Sequence, residues 1–434
     1  MQILISLVGG LMFSTLPWAI GHQLFKNDSK AGIALKTASG WFFIYLICCG
    51  LAFVSGLRQH CLIIIFTSLF FLFSRTIFRG LLNLISTSLE IFRSSTLIER
   101  LIFVSILVLL SLRAFQATTP TINWDGLNQH LPLLSARLEQ GDWNPIFEIP
   151  TDRRTPMSGV LLKISAYSFG LDGRALSLTY LGIYIIILCQ LWKLLYTLCS
   201  KTAALFCCAC FASWTDIAVY FRHLGDEPLF CLFISSVITS IFIKPKVSYA
   251  IQINFALLGL AFSIKLTTLF FVPFIGLIYL ARTYKSYPTK TLFISLGIGL
   301  FFALLTYTKQ HHDYNMIYPL QRWTNLLEFG PNTPEVLSFE TVREKRLDYG
   351  IIDHRDNKSV TKDYLSKWFN NSKKLIYLPL GPYTYWIPLL IIFSLFGKVT
   401  FSEQKHLHLI SFTICFVIVL VCLNLTMSAW DFSP

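Results

Sequence analysis

Trp124-Asp125 and His130-Leu131-Pro132 set an indole, a carboxylate and an imidazole just past an apolar stretch running from Leu101 to Phe115. A carboxylate where water meets lipid can take a proton from an incoming hydroxyl, which is general-base chemistry. The same Asp125 can instead cap a helix beginning near Leu127, with Gly126 serving the turn. A second constellation, Arg222-His223-Leu224-Gly225-Asp226-Glu227-Pro228, lies at the mouth between two apolar stretches. Pro228 suits the first turn of a helix and Asp226 its cap. Two acids beside an arginine and a histidine also suit a phosphate, an acceptor hydroxyl or a divalent cation. The third signal is Lys265, enclosed by Leu260-Ala261-Phe262-Ser263 and Leu266-Thr267-Thr268-Leu269-Phe270. An ionisable residue inside a membrane segment marks a functional site by default, although a lysine can also snorkel to the interface.

These residues need elements to hold them, and the composition names the kind. Of 434 residues, 54% are hydrophobic and 14% are charged, against about 25% charged in ordinary soluble domains. The apolar residues fall in runs long enough to cross a hydrocarbon core, about 20 residues each. They lack the two-residue alternation of a barrel, so the expected class is all-α and polytopic. Hydropathy predicts about twelve spans: 3–23, 40–57, 61–78, 100–116, 174–194, 202–221, 228–243, 249–263, 266–281, 290–308, 384–397 and 407–425. Met1 to Ile20 lacks a basic leader and reads as a span rather than a cleavable signal. Gly80 to Phe92 reads as an interfacial amphipathic segment, and Met157 to Phe169 as an amphipathic helix lying against the membrane.

Lysines and arginines orient the bundle. Lys26, Lys30 and Lys36; Arg75, Arg79, Arg93 and Arg100; Lys193 and Lys201; Lys244 and Lys246; Arg282, Lys285 and Lys290; and Lys398 and Lys405 all fall on alternate short loops and helix ends. The positive-inside rule assigns that set to the cytoplasm. The opposite set, including 117–173 and the long segment 309–383, then faces outward. The net charge of +13 is therefore largely topological and does not ask for a nucleic acid. Four regions follow: N-terminal helices and an interfacial segment at 1–99, a core at 100–308 with its first outward loop at 117–173, an outward loop domain at 309–383, and C-terminal spans at 384–434. The eleven cysteines lie in or beside apolar stretches and read as thiols rather than disulfides. Cys207-Cys208-Ala209-Cys210 falls mid-helix with no histidine near it, so packing is expected there rather than a metal.

In their order and placement the three signals resemble the GT-C glycosyltransferases, in particular bacterial relatives of the dolichyl-phosphate-mannose–protein mannosyltransferases of the family 39 type. Trp124-Asp125 with His130-Leu131-Pro132 is similar to that family's first outward loop. Pro156 through Phe169-Gly170 is similar to its proline-led helix, and Gly259-Leu260-Ala261 through Lys265 and Thr267 to its lysine-bearing stretch. Asn315-Met316-Ile317-Tyr318-Pro319 is similar to its later proline segment. The likeness covers roughly residues 100–320. Asn128-Gln129 replaces the family's tyrosine-containing pair, the glycine before Asn315 is missing, and extra spans precede the usual first helix.

The resemblance implies a GT-C-like bundle that transfers a sugar from a polyprenyl phosphate to a hydroxyl of a glycan, lipid or protein, on the outer face of the cell membrane. Asp125 would be the general base of an inverting displacement. Trp124, His130, Asp226 and Glu227 would bind substrate, and Arg153, Arg154, Arg222 and Lys265 would meet the charge on the departing phosphate. His311, His312 and Asp313 can line the same site from the second long loop. No cofactor is demanded, though Asp226 and Glu227 can hold a divalent cation. Two rivals predict differently. An O-antigen polymerase or ligase would rely on Arg322, Arg343 and Arg346. A transporter or flippase would need ionisable residues at mid-membrane depth and paired broken helices.

Overall fold

A computed structural model describes residues 2–119, 126–147, 149, 152, 155–198, 200–213, 224–264 and 272–314. Among them every regular element is helical. The helices are α1 (Gln2–Leu24), α2 (Ile33–Phe53), α3 (Gln59–Arg93), α4 (Leu97–Thr118), a π-turn (Gly126–His130) running into α5 (Leu131–Gln140), α6 (Met157–Tyr167), α7 (Arg174–Leu198) and α8 (Lys201–Ser213). They continue as α9 (Glu227–Phe242), α10 (Ala250–Ile264), α11 (Val272–Thr283) and α12 (Thr289–Tyr314). Six of them, α1, α2, α3, α4, α7 and α12, are long and apolar enough to cross a membrane. The expected spans at 384–397 and 407–425 lie outside the described residues.

The core is built around α1, α2, α6, α7, α9 and α10, with Phe13, Trp41, Tyr45, Leu161, Tyr180, Phe233 and Leu257 fully enclosed. Close helix approach depends on small residues, as in membrane bundles generally. A Cβ on Gly259 would run into the Gly299 carbonyl, and one on Gly299 would stand 2.9 Å from the Phe255 carbonyl oxygen. The Gly259 of the predicted motif is thus where α10 meets α12. Helices α3 and α4 are peripheral: 17% and 11% of their apolar windows are buried, against 61% in α2 and α7. Their exposed Phe71, Leu72, Phe78, Leu112 and Phe115 suit contact with lipid tails.

The amphipathic segment Gly80–Phe92 is the last part of α3, which runs unbroken through it to Arg93. Gln23 Nε2 bonds Thr76 Oγ1, and Gly80 lies against the Trp18 ring, so α3 stays packed on α1 there. One sequence expectation is corrected, at α6. It does not lie against the membrane; all of its residues from Met157 to Tyr167 are buried. Ser158 and Lys163 meet polar partners inside the bundle from two sides of the helix, and Ser165 bonds the Leu162 carbonyl of its own turn.

One end of the bundle gathers the basic segments. Asp28, in the α1–α2 loop, accepts from the backbone N–H groups of Lys30 (2.9 Å) and Ala31 (3.2 Å) on one oxygen. Its other oxygen accepts from Lys246 (2.5 Å) and Val247 (3.1 Å), in the α9–α10 loop. Burial pushes this carboxyl up, and the four N–H groups outweigh that, leaving it below the ordinary carboxylate range. The Ala34 N–H donates to Gln190 Oε1 near the end of α7. Lys201 Nζ reaches Ser94 Oγ (2.9 Å), beside the Thr96/Glu99 capping box that opens α4. Loops expected on one side of the membrane from their lysines and arginines therefore meet at one end of the molecule.

Candidate functional site

At the opposite end, α9 stops short. From the loop held by Asp28, α1 has 23 residues and α9 only 16, a difference of about 10 Å in helix length. The chain entering α9 is non-helical and buried at Leu224 and Gly225. Irregular backbone at such depth must find hydrogen-bond partners inside the protein. It does: Tyr180 OH, from α7, donates to the Gly225 carbonyl (2.5 Å), and Lys163 Nζ, from α6, donates to the Leu224 carbonyl (3.3 Å). Leu224 has a left-handed φ of 56°, a strained setting for a branched side chain. Gly173 leaves it room, since a Cβ there would lie 2.8 Å from Leu224 Cδ1.

Lys163 organises this recess. Its ammonium, 1% exposed, lies 2.8 Å from Asp226 Oδ1 and 3.2 Å from His130 Nδ1. Asp226 occupies the N-cap position of α9 but makes no capping hydrogen bond; its side chain turns to the lysine instead. The capping bond expected of Asp226 is therefore not made, and an ion pair that local sequence did not suggest takes its place. Pro228 sits in the first turn as expected. Glu227, half-buried like Asp226, curls back over Gly225, a position a Cβ would block.

His130 arrives from above. It ends the π-turn and sits at the N-cap of α5. Pro132, lacking an N–H, cannot continue the regular ladder from its side, which accounts for the widened turn at this point. The 126–140 segment thus forms a roof, held to the layer beneath by His130 on Lys163 and by Ser135 Oγ on Tyr167 OH (2.7 Å). Below, Tyr45 OH meets Ser158 Oγ (3.1 Å), and Ser158 also contacts Thr306 of α12. Tyr180 and Tyr307 lie within electrostatic reach of Asp226.

A second charged cluster ties the roof to α12. Arg137 holds both carboxylate oxygens of Asp152 (2.5 and 2.6 Å), each side chain 3% exposed. Asp152 also accepts from the Ile146 N–H (2.9 Å) and from Tyr314 OH. Phe147 packs edge-on to Tyr314, and Lys309 lies over the Trp143 ring.

Of the predicted site residues, His130 and Asp226 are brought together, with Glu227 beside them. Trp124, Asp125, Arg153, Arg154, Arg222 and Lys265 lie outside the described residues. His311, His312 and Asp313 end α12, where Asp313 pairs with Lys309 (2.5 Å) and His312 (3.1 Å). Among the described residues no group of three potential ligands forms a metal site, at Cys207-Cys208-Ala209-Cys210 or elsewhere. Sequence reasoning missed Lys163, Arg137 and Asp152 as partners. The rule that singled out Lys265, an ammonium within apolar sequence, applies equally to Val160-Leu161-Leu162-Lys163-Ile164. No protein-family profile, curated protein or solved structure matches this chain.

Proposed function

We propose that the chain is a membrane glycosyltransferase with a GT-C-like architecture of about twelve spans, acting at the outer face of the cell membrane. One observation carries the reading: His130 of the first motif and Asp226 of the second converge on buried Lys163, at the end of the bundle away from the basic loops. In the reaction, an acceptor hydroxyl attacks the anomeric carbon of a sugar carried on a polyprenyl phosphate. The bond from that carbon to the phosphate oxygen breaks as the new glycosidic bond forms, with inversion. Asp125, five residues before His130, takes the hydroxyl proton. Arg153, Arg154, Arg222 and Lys265 meet the charge left on the polyprenyl phosphate. Asp226, held by Lys163, shapes the recess, and Glu227 beside it meets a sugar hydroxyl.

The test supplies membrane vesicles containing the full chain with polyprenyl-phosphate sugars radiolabelled in the sugar. Label passing into an acceptor, with release of polyprenyl phosphate, supports the proposal; label that stays on the prenyl carrier across hexose and pentose donors rejects it. A transporter is the second reading, favoured by the recessed Lys163–Asp226 pair beside a non-helical helix entry. It predicts uptake of intact solute into sealed vesicles without cleavage of any donor.

A further inference from the structure

The ammonium of Lys163 is surrounded by three lone-pair-bearing atoms: Asp226 Oδ1 at 2.8 Å, His130 Nδ1 at 3.2 Å and the Leu224 carbonyl oxygen at 3.3 Å. A –NH3+ group offers only protons, so the imidazole nitrogen facing it must offer its lone pair. With Lys163 as donor, the matching form of His130 is the neutral tautomer that carries its proton on Nε2. A protonated His130 would set two cations 3.2 Å apart in a site where Lys163 is 1% exposed.

We propose that Lys163 is a positioning residue that docks the π-turn end of the 126–140 roof only while His130 is neutral, so that acidification loosens that end while Arg137–Asp152 and Ser135–Tyr167 still hold the rest. The docking follows from the contacts alone; only its effect on transfer, through Asp125 just ahead of the π-turn, rests on the proposed function. Among the described residues, the other titratable groups near this junction are Asp226 and Glu227 at the start of α9, Tyr180 from α7 and Tyr307 from α12, both within reach of Asp226, and Tyr167 from α6, itself near Asp172 and Glu139. Carboxylates, phenols and guanidinium groups ordinarily titrate outside the window from about pH 5 to about pH 8, whereas an imidazole changes charge within it. The sign follows: the contact is present at the alkaline end and is lost as the pH falls.

Hydrogen–deuterium exchange of fragments covering 126–140, in the purified full-length protein and corrected for the intrinsic pH dependence of exchange, tests this without any substrate. Protection in the wild type should fall about tenfold or more between the two ends of that window, as expected for loss of one hydrogen bond to a charged group. His130→Gln, which keeps an acceptor but cannot gain a proton, should stay protected throughout. Lys163→Gln should be weakly protected at every pH, and Lys163→Arg, which keeps the charge if the glutamine variant does not fold, should retain the pH dependence. Protection that is flat with pH in the wild type, or that falls alike in His130→Gln, would overturn the proposal.

Discussion

The space that a side chain on Gly159 would fill is taken by the carboxylate of Asp226. A Cβ built on that glycine lies 2.6 Å from Asp226 Oδ1, and the same oxygen is 2.8 Å from Lys163 Nζ. Three residues from two helices therefore share one slot, and the smallest of them sets how near the charges come.

Gly159→Ala should push the carboxylate off its partner. Overpacking a filled interior costs about 1–3 kcal/mol, so the variant's thermal midpoint in detergent should fall and any transfer activity should fall with it. Gly297→Ala, where a Cβ meets nothing within 4 Å, is the control and should leave both unchanged.

Removing only the lysine takes from the Asp226 carboxylate its buried cation at 2.8 Å. Breaking a buried pair from one side costs about 3–5 kcal/mol, while replacing both members by neutral groups is often close to harmless. Lys163→Met should therefore lower the melting temperature strongly, and Lys163→Met with Asp226→Asn should recover most of the loss without recovering activity. A double variant no more stable than the single one would show that the pair contributes little.

At the far end of the molecule, Asp28 joins two loops through four backbone N–H groups and titrates below the ordinary carboxylate range. A depressed carboxyl contributes stability that is present above its unfolded pKa, about 3.9, and is lost as the pH falls through the lower folded value. Asp28→Asn should cost about 2 kcal/mol or more near neutrality, because bonds to a charged acceptor are replaced by weaker ones. The gap in melting temperature between wild type and variant should hold down to that unfolded value and narrow only below it. A gap that is already closing near pH 6 would show that Asp28 is not held as described.

Much of the helical layout was legible, because spans of this kind are written in apolar length: the expected 174–194 and 228–243 match α7 and α9 closely. The grouping of basic loops was legible too, and Asp28 bonding the Lys246 and Val247 N–H groups is its physical counterpart. The character of α6 was not. Hydropathy cannot tell polar side chains that face water from Ser158 facing Tyr45 and Thr306 and Lys163 facing Asp226. Gly80 did not interrupt α3 because it lies against the Trp18 ring, where a small residue is needed. In the site, Asp226 read as a helix cap on local sequence, and its true partner lies 63 positions earlier, beyond the reach of any local pattern.

The central claim is that the Asp125 carboxylate activates the acceptor, and Asp125→Asn tests it most directly. The change removes the base while keeping size and shape, so transfer of radiolabelled sugar from polyprenyl phosphate in membrane vesicles should fall by about 10²–10⁴-fold, with the full-length protein present at wild-type level. Transfer at the wild-type rate by that variant would contradict the account.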